Sequence, residues 1–261
     1  MIGIFDSGVG GLTVVRAIAE KIPGYDMVYF GDTAHTPYGT KSADTVIGYT
    51  IRNIEFLLHQ GAKVIIIACN TASSVASARV LEQFAFPIFE VITPAVDHAL
   101  TASTNLNIGI MGTRATISSG IYEKKIMENQ PTARIHSVAC PLLVPLVEEG
   151  WLKKRETAMI VKKYLQPLKI RQIDTLILGC THYPLLKKVI QRKIGQHVTL
   201  IDSSICISER IKKFLSDNRD IDLQLGQNGY LSLFVSDVTD QFKKIAEMTL
   251  KTHITFECVK I

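Results

Sequence analysis

Short aliphatic runs alternate with amphipathic helical patterns along nearly the whole chain. The runs that predict buried strands span residues 2–5, 27–30, 64–68, 88–92, 108–111, 135–139, 175–178 and 198–201. Strands that are covered by helices on both faces of a parallel sheet appear in a sequence as continuous apolar runs. The pattern therefore predicts an α/β fold with mostly parallel sheets flanked by helices.

Two of the predicted helices have clear limits. The first ends at Pro23 and Gly24, and its apolar positions are Leu12, Val15, Ile18 and Ile22. The second begins after Ser42, a plausible N-cap, and stops at Gly61. Its predicted buried face consists of Ile47, Ile51, Ile54 and Leu58.

The strand pattern contains a repeat. Residues 2–5 recur at 108–111, residues 64–71 recur at 175–182, and residues 91–93 align with 200–202. A cysteine, Cys69 or Cys180, follows the matching strand in both halves. We therefore expect two pseudo-symmetric lobes, one from residues 1–95 with 206–261 and one from residues 96–205, with the first strand of the tail packed on the first lobe.

Composition narrows the class of protein. The chain has 261 residues, 47% hydrophobic and 20% charged, as expected for a soluble globular protein. No apolar run could span a membrane, and the N-terminus has no signal-peptide pattern, so we expect a cytoplasmic protein. The net charge of +5 comes from scattered basic pairs without interleaved aromatics, which argues against nucleic-acid binding. Five cysteines without CxxC spacing argue against a disulfide framework and a zinc ribbon.

Ligands of parallel α/β sheets bind beyond the carboxyl ends of the strands. The residues expected there are polar and include two thiols: Asp6, Ser7, Asp32, Cys69, Asn70, Thr71, Thr93, Gly112, Thr113, Cys180, Thr181, His182, Asp202 and Ser203. The glycine-rich turn 6–11 has three interpretations. A dinucleotide site with Asp32 on the ribose is disfavoured, since Thr13 stands where a third glycine belongs and Asp6 would repel a pyrophosphate. A turn that binds a carboxylate, with Asp6 as base or ammonium partner, and a purely structural turn both stay open.

Cys69 and Cys180 are the most specific indication of chemistry in the sequence. A single cysteine at a strand end is typical of a small buried hydrophobe. Two in matching positions of facing lobes would approach a ligand from opposite sides, and inversion of a carbon needs an acid and a base on opposite faces. We therefore expect the sulfurs roughly 7 Å apart, too far for a disulfide. A metal site using these cysteines with Cys140 and His182 is the alternative, although Cys-x-His matches no common zinc pattern.

The series of motifs resembles that of bacterial glutamate racemases from residue 2 to about residue 204. The matching segments are 6–11, 32–39, 68–72, 112–116, 148–150 and 179–186. Two departures stand out. His35 occupies a position where the family more often has arginine, and we expect this difference to alter the mouth of the site. The segment 235–237 lacks the glycine common in the C-terminal motif.

The resemblance implies an enzyme that interconverts L- and D-glutamate without a cofactor or a metal and so supplies D-glutamate for peptidoglycan. It also implies an active site between the two lobes and, by analogy, a homodimer. It implies that Cys69 deprotonates D-glutamate and Cys180 L-glutamate, with Asp6 and His182 as their assistants and Glu148 as a further assistant. The residues implied to hold the substrate are Asp6, Ser7, Pro37, Tyr38, Gly39, Cys69, Asn70, Thr71, Thr113, Thr116, Cys180, Thr181 and His182.

Several alternatives stay open. His182 is also compatible with a structural histidine bonded to a neighbouring carbonyl. An aspartate racemase would share the fold and the paired cysteines. A nicotinamide-dependent oxidoreductase would bind NAD and tolerate the loss of Cys180. A small-acid binding protein would bind glutamate without exchanging its α-proton.

Overall fold

A computed structural model describes all residues from 1 to 261. The ten strands are β1 (Ile2–Asp6), β2 (Met27–Gly31), β3 (Val64–Ile67), β4 (Ile88–Glu90), β5 (Asn107–Gly112), β6 (Arg134–Ala139), β7 (Thr175–Gly179), β8 (Thr199–Asp202), β9 (Leu231–Val235) and β10 (Glu257–Cys258). The helices are α1 (Leu12–Lys21), α2 (Ala43–His59), α3 (Asn70–Gln83), α4 (Ile92–Ala102), α5 (Arg114–Ser118), α6 (Ile121–Asn129), α7 (Leu143–Glu148), α8 (Arg155–Ile170), α9 (Lys187–Ile194), α10 (Ser203–Asp217), α11 (Arg219–Asp222) and α12 (Asp240–Leu250).

The strands form two separate parallel sheets. The first has the order β10-β9-β2-β1-β3-β4 and the second has the order β6-β5-β7-β8. Four strands of the first sheet, β2-β1-β3-β4, follow the same order as the four strands of the second. All the paired strands are parallel, which confirms the predicted α/β class.

The repeat holds for two of its three landmarks. Strands β1 and β5 occupy equivalent positions, as do β3 and β7 with the cysteines that follow them. The third alignment is wrong as a strand match, because β4 ends at Glu90 and Ile92 already begins α4. The Glu90 carboxylate accepts hydrogen bonds from the backbone N–H groups of Ile92 and Thr93, which starts the helix there. The predicted strand 88–92 is therefore two residues too long.

Helix α2 begins where the sequence predicts, with the Ser42 hydroxyl accepting a hydrogen bond from the Thr45 N–H at 3.4 Å. Its buried face differs from the prediction. Of the predicted apolar set only Ile54 is fully buried, and the buried positions are Val46, Thr50, Asn53, Ile54 and Leu57. Periodicity of apolar residues missed this face because two of its members are polar. Their side chains are satisfied internally, by the carbonyl of Val46 and by the Tyr38 hydroxyl.

Each sheet is covered on both faces by apolar residues. Two buried clusters cover the first sheet and two others cover the second. The tail returns to the first sheet, where β9 pairs with β2. Helix α10, which follows the last strand of the second sheet, packs against α1 of the first. None of the helices is long and apolar enough to cross a membrane.

Candidate active site

The carboxyl ends of the central strands of both sheets converge on one polar region. Strand β1 ends at Asp6, and Cys69 and Cys180 follow β3 and β7. Both thiols are free and buried, each with 5% exposure. They are close enough for charge on Cys180 to be among the causes that raise the pKa of Cys69. The two cysteines of the repeat therefore share one enclosed site.

Cys69 stands between β3 and α3 and is the N-cap residue of that helix. Its thiol donates a hydrogen bond to the Ser7 hydroxyl, with 3.6 Å between sulfur and oxygen. Burial, reinforced by the negative charge of Asp6, raises the pKa of the Cys69 thiol to about 12. The hydrogen bond donated by the Ala72 N–H and the hydrogen bond shared with the Ser7 hydroxyl oppose this rise. In this enclosed site Cys69 therefore carries its proton near neutral pH.

A chain of three side chains leads from Cys180 to the surface. The Cys180 sulfur lies 3.7 Å from Nδ1 of His182, and Nε2 of His182 lies 3.2 Å from Oε1 of Glu148. Burial lowers the pKa of His182, but its bonds to Cys180 and Glu148 outweigh this, and the pKa is raised well above its usual value. The Glu148 side chain is 33% exposed while that of His182 is 3% exposed. The chain can pass a proton between solvent and the Cys180 thiol.

Asp6 lies at the junction of the two sheets and is fully buried. Its Oδ2 accepts hydrogen bonds from the N–H groups of Gly8 and Gly11 at 3.1 and 3.0 Å, and its Oδ1 accepts one from the Thr181 hydroxyl at 3.2 Å. Burial raises the pKa of the Asp6 carboxyl, although the His182 charge and these hydrogen bonds oppose the rise. The glycine-rich turn thus binds the carboxylate of its own Asp6.

Hydroxyl groups of three residues that follow β3 and β5 form a cluster. The Thr71 oxygen lies 2.9 Å from that of Thr113 and 3.3 Å from that of Thr116, and the last two lie 3.0 Å apart. Gly39 packs against this cluster, since a Cβ there would lie 2.7 Å from the Cβ of Thr113. Such a cluster can donate several hydrogen bonds to a carboxylate.

The segment 32–39 is organised by the Asp32 carboxylate. Tyr38 donates its hydroxyl to Asp32 at 2.5 Å, and the Tyr38 oxygen also accepts a hydrogen bond from Asn53. His35 and the Ser236 hydroxyl bind the other oxygen of Asp32 at 2.7 and 3.0 Å. The Tyr38 hydroxyl is therefore engaged in the protein, and Pro37 and Tyr38 are left to contribute backbone atoms and apolar surface. Both positions that depart from the family pattern, His35 and the tail segment, bind this one carboxylate.

Sequence reasoning missed two residues that touch the site. The Thr13 hydroxyl lies 3.1 Å from the carbonyl oxygen of Thr181, and the Tyr122 hydroxyl donates to Oδ1 of Asn70 at 2.7 Å. In the sequence, Thr13 stands out only because it occupies the position of the third glycine of a dinucleotide-binding turn. Tyr122 lies inside α6 with no motif around it, so no local signal could identify it.

A cavity of about 380 Å³ lies beside the thiols rather than around them. Gly8, Thr36 and Glu148 form one wall, and α12 and the residues before it contribute another. Neither Cys69 nor Cys180 lines it. The cavity therefore exposes the outer end of the His182–Glu148 pair. No group of three or more His, Cys, Asp or Glu side chains is arranged to hold a metal ion.

Comparison with known proteins agrees with this arrangement. The profile of the Asp/Glu/Hydantoin racemase family matches residues 10–209. A glutamate racemase from Persephonella marina is 43% identical over 260 residues, covering 100% of this chain and 97% of the relative.

Two solved structures are close in shape. A glutamate racemase isoform from Bacillus anthracis superposes with a TM-score of 0.93 at 35% identity, covering 100% of this chain and 97% of that one. The glutamate racemase from Francisella tularensis, solved in complex with D-glutamate, gives a TM-score of 0.90 at 36% identity, with 99% and 97% covered. The chain therefore belongs to the glutamate racemases of the Asp/Glu/Hydantoin racemase family.

Proposed function

We propose that this chain interconverts L- and D-glutamate without a cofactor, with Cys69 and Cys180 as the two acid/base groups. The observation that carries the proposal is the pair of free, buried thiols at equivalent strand ends of the two sheets. Each thiol has its own polar neighbours, Ser7 and Asp6 for Cys69, and His182 with Glu148 for Cys180. The complex of the Francisella tularensis relative with D-glutamate supports the choice of substrate.

In the L-to-D direction, the Cys180 thiolate takes the α-proton and forms its S–H bond as the C–H bond breaks. The electron pair stays on the α-carbon. Cys69 then gives its proton to the opposite face of that carbon, which forms the new C–H bond and leaves a thiolate. The raised pKa of Cys69 keeps its proton available for this step. In the D-to-L direction the two thiols exchange roles.

The neighbours of each thiol reset its protonation state between turnovers. Asp6, whose pKa is raised by burial, can return a proton to the Cys69 thiolate after an L-to-D turnover and accept one from the Cys69 thiol after a D-to-L turnover. His182 can exchange a proton with Cys180 and, through Glu148, with solvent. These transfers are short-range acid–base steps between neighbouring polar groups. Asp6, His182 and Glu148 are therefore proposed as assistants of the two thiols.

Fixed hydrogen-bond donors can hold the two carboxylates of the substrate, in the ground state and in the transition state alike. We assign this holding role to the hydroxyl, amide and backbone groups around the thiols: Ser7, Pro37, Tyr38, Gly39, Asn70, Thr71, Thr113, Thr116 and Thr181. The proximity of the Thr71, Thr113 and Thr116 hydroxyls supports this assignment.

The wider setting follows from the same proposal. The D-glutamate would supply peptidoglycan synthesis, and the five free cysteines support a reducing compartment such as the cytoplasm. We also propose lobes of residues 1–95 with 206–261 and of residues 96–205, which agree with the membership of strands in the two sheets. A homodimer is proposed by analogy with the family, and light scattering of the purified protein tests it.

Proton exchange tests the reaction directly. Purified protein is incubated with L-glutamate in D₂O with a chelator and no added cofactor. Proton NMR follows the α-hydrogen and chiral chromatography follows the enantiomers. Deuterium incorporation together with D-glutamate formation is the expected result. Exchange with aspartate but not glutamate would overturn the choice of substrate, and binding of glutamate without exchange would overturn the enzymatic proposal.

Cysteine variants test the assignment of the two bases. We expect Cys69→Ser and Cys180→Ser each to abolish racemisation, because a serine hydroxyl is a far weaker acid than a thiol, while glutamate binding is largely retained. Cys206→Ala is the matched control, since Cys206 is also a free buried thiol but lies in α10 within the core. Turnover by either serine variant at the rate of this control would contradict the assignment.

A further inference from the structure

The carboxamide of Asn70 is buried with only one of its two ends bonded to protein. Asn70 directly follows Cys69 and is the first residue of α3, with 2% of its surface exposed. Its Oδ1 accepts a hydrogen bond, but its Nδ2 has no partner. An unbonded buried donor is costly, so such a group in a native protein calls for an explanation. At a polar site beside a proposed catalytic thiol, the explanation is a bond to the ligand.

The partner of Oδ1 is the Tyr122 hydroxyl, which donates to it at 2.7 Å. Tyr122 lies in α6, beside the second sheet, whereas Asn70 follows β3 of the first. The tyrosine is 1% exposed and belongs to an apolar cluster that also contains Ile126 and Ile177, so its ring is fixed by packing. Burial raises the pKa of Tyr122 well above its usual value, so its hydroxyl retains the proton it donates.

The two ends of a carboxamide point apart, so a bond that fixes Oδ1 also fixes the direction of Nδ2. Without the Tyr122 hydroxyl, the Asn70 amide could rotate about its terminal torsion, which is broad and roughly two-fold. In half of those orientations an oxygen would replace the amino group and meet a substrate carboxylate as a second acceptor. The bond from Tyr122 prevents this.

We propose that Tyr122 is a positioning residue for substrate binding, which acts through Asn70 by turning the free Nδ2 toward an anionic oxygen of the substrate. This inference rests on the proposed function. Tyr122 lies outside the recognised motifs. Its role would make substrate binding by Asn70, in the first lobe, depend on a hydroxyl group of the second lobe.

The kinetic signature follows from where Tyr122 acts. A donor that holds a carboxylate equally in the ground state and in the transition state changes KM and leaves kcat nearly unchanged. We expect Tyr122→Phe to raise KM for both enantiomers about five- to tenfold, the effect of losing roughly one neutral hydrogen bond. The kcat values should change less than about twofold.

Two comparisons separate positioning from a structural role. Tyr25→Phe is the matched control, because it also removes a tyrosine hydroxyl that donates to a side chain, Asp222, but before the start of β2 and so at the end of the sheet away from the thiols. Asn70→Ala provides the second comparison. In that background Tyr122→Phe should raise KM no further, since the group through which it acts is gone. Glutamate binding by calorimetry and thermal unfolding accompany the kinetics for every variant.

The outcomes are distinct. A KM effect that disappears in the Asn70→Ala background, with Tyr25→Phe unchanged in KM, supports the inference. Unchanged KM in Tyr122→Phe, or equal effects in both backgrounds, would overturn it while leaving the proposed racemase activity intact. If Tyr122→Phe loses its cooperative thermal transition, the tyrosine is structural and the inference is wrong. Absence of both turnover and glutamate binding in the unmodified chain would overturn the proposed function and this inference together.

Discussion

At the scale of single residues, the neighbours of the two thiols differ in character. Cys69 lies near a buried carboxyl and Cys180 contacts an imidazole, so one thiol faces negative charge and the other a group that can be positive. The pKa of His182 is raised above its ordinary value in the folded protein, so its charged form stabilises the fold. This stabilisation is complete below the ordinary pKa of histidine and is lost as pH rises through the raised pKa. His182 therefore stays protonated at neutral pH, and its charge depends on Glu148.

Replacement of Glu148 should shift the pH dependence of activity. Burial alone lowers the pKa of His182, and Glu148 is one of the two groups that raise it. In Glu148→Gln we therefore expect His182 to lose its proton at lower pH, so that the alkaline limb of the kcat/KM profile moves toward neutrality. The kcat should fall about tenfold or more, since the proposed acid–base assistant of Cys180 is weakened.

The neighbouring Glu149 provides the control for this change. It is exposed and makes no hydrogen bond or ion pair with His182, so Glu149→Gln should reproduce the profile of the unmodified protein. The measurement is kcat/KM for both enantiomers across pH. An alkaline limb that stays in place in Glu148→Gln would show that the ion pair does not control the charge of His182.

At the scale of elements, the two halves use glycine in the same strand position for the same purpose. Gly3 lies in β1 and Gly109 in the equivalent strand β5. A Cβ at Gly3 would lie 2.8 Å from the Cβ of Ala62, whereas one at Gly109 would lie 2.5 Å from the terminal Cδ1 of Ile173. Each glycine thus allows the segment before a neighbouring strand to approach, the segment before β3 at Gly3 and the segment before β7 at Gly109. Only at Gly109 is the contacting atom the end of a flexible side chain.

This difference predicts unequal stability effects. Gly3→Ala should lower the free energy of unfolding by about 1–3 kcal/mol, because the tightly packed neighbour has no rotamer to change. Gly109→Ala should cost less, since Ile173 can rotate. Gly48→Ala is the control within α2, where a Cβ would meet nothing within 4 Å, and it should stabilise by about 0.5–1 kcal/mol. Urea unfolding measures all three, and a larger loss at Gly109 than at Gly3 would contradict the interpretation.

At the scale of the whole molecule, the site depends on close contact between two sheets that share no strand. Near Asp6, this contact between the sheets involves a glycine and a threonine hydroxyl from the first lobe. Gly10 faces Thr181 and His182 so closely that a Cβ there would lie 2.4 Å from Oγ1 of Thr181 and 2.5 Å from Nδ1 of His182. The Thr13 hydroxyl bonds to the carbonyl of Thr181 in the same region. The absence of a side chain at Gly10 therefore allows the turn after β1 to approach Thr181 and His182, which follow Cys180.

A methyl group at Gly10 should therefore impair catalysis more than folding. We expect Gly10→Ala to displace Thr181 and His182 and to lower kcat/KM by about 10²-fold, as a displacement near 1 Å can do. Circular dichroism and the thermal transition should remain those of a folded protein, and Gly48→Ala again provides the control for added bulk. Full activity in Gly10→Ala would show that the lobes tolerate separation at this contact.

How far the sequence could predict this molecule depends on the range of the contacts involved. The sequence could predict the strands from their apolar runs and the start of α2 from the capping residue Ser42. It could also predict the pairing of Cys69 with Cys180 from the repeat of the strand pattern. The buried face of α2 could not, because Thr50 and Asn53 are buried through bonds to groups that periodicity does not register. The contact between Tyr122 and Asn70 joins different sheets, and nothing in either neighbourhood indicates it.

The pairing of β9 with β2 has a consequence for synthesis on the ribosome. All strands of the second sheet lie between residues 107 and 202, so that sheet can assemble once α10 has emerged. The first sheet is completed only when residues 231–235 cover the outer edge of β2, although its strands β1 to β4 are translated before the second sheet. Translation from the N-terminus thus completes the second sheet before the first and leaves the outer edge of β2 open to chaperones until residues 231–235 have left the exit tunnel.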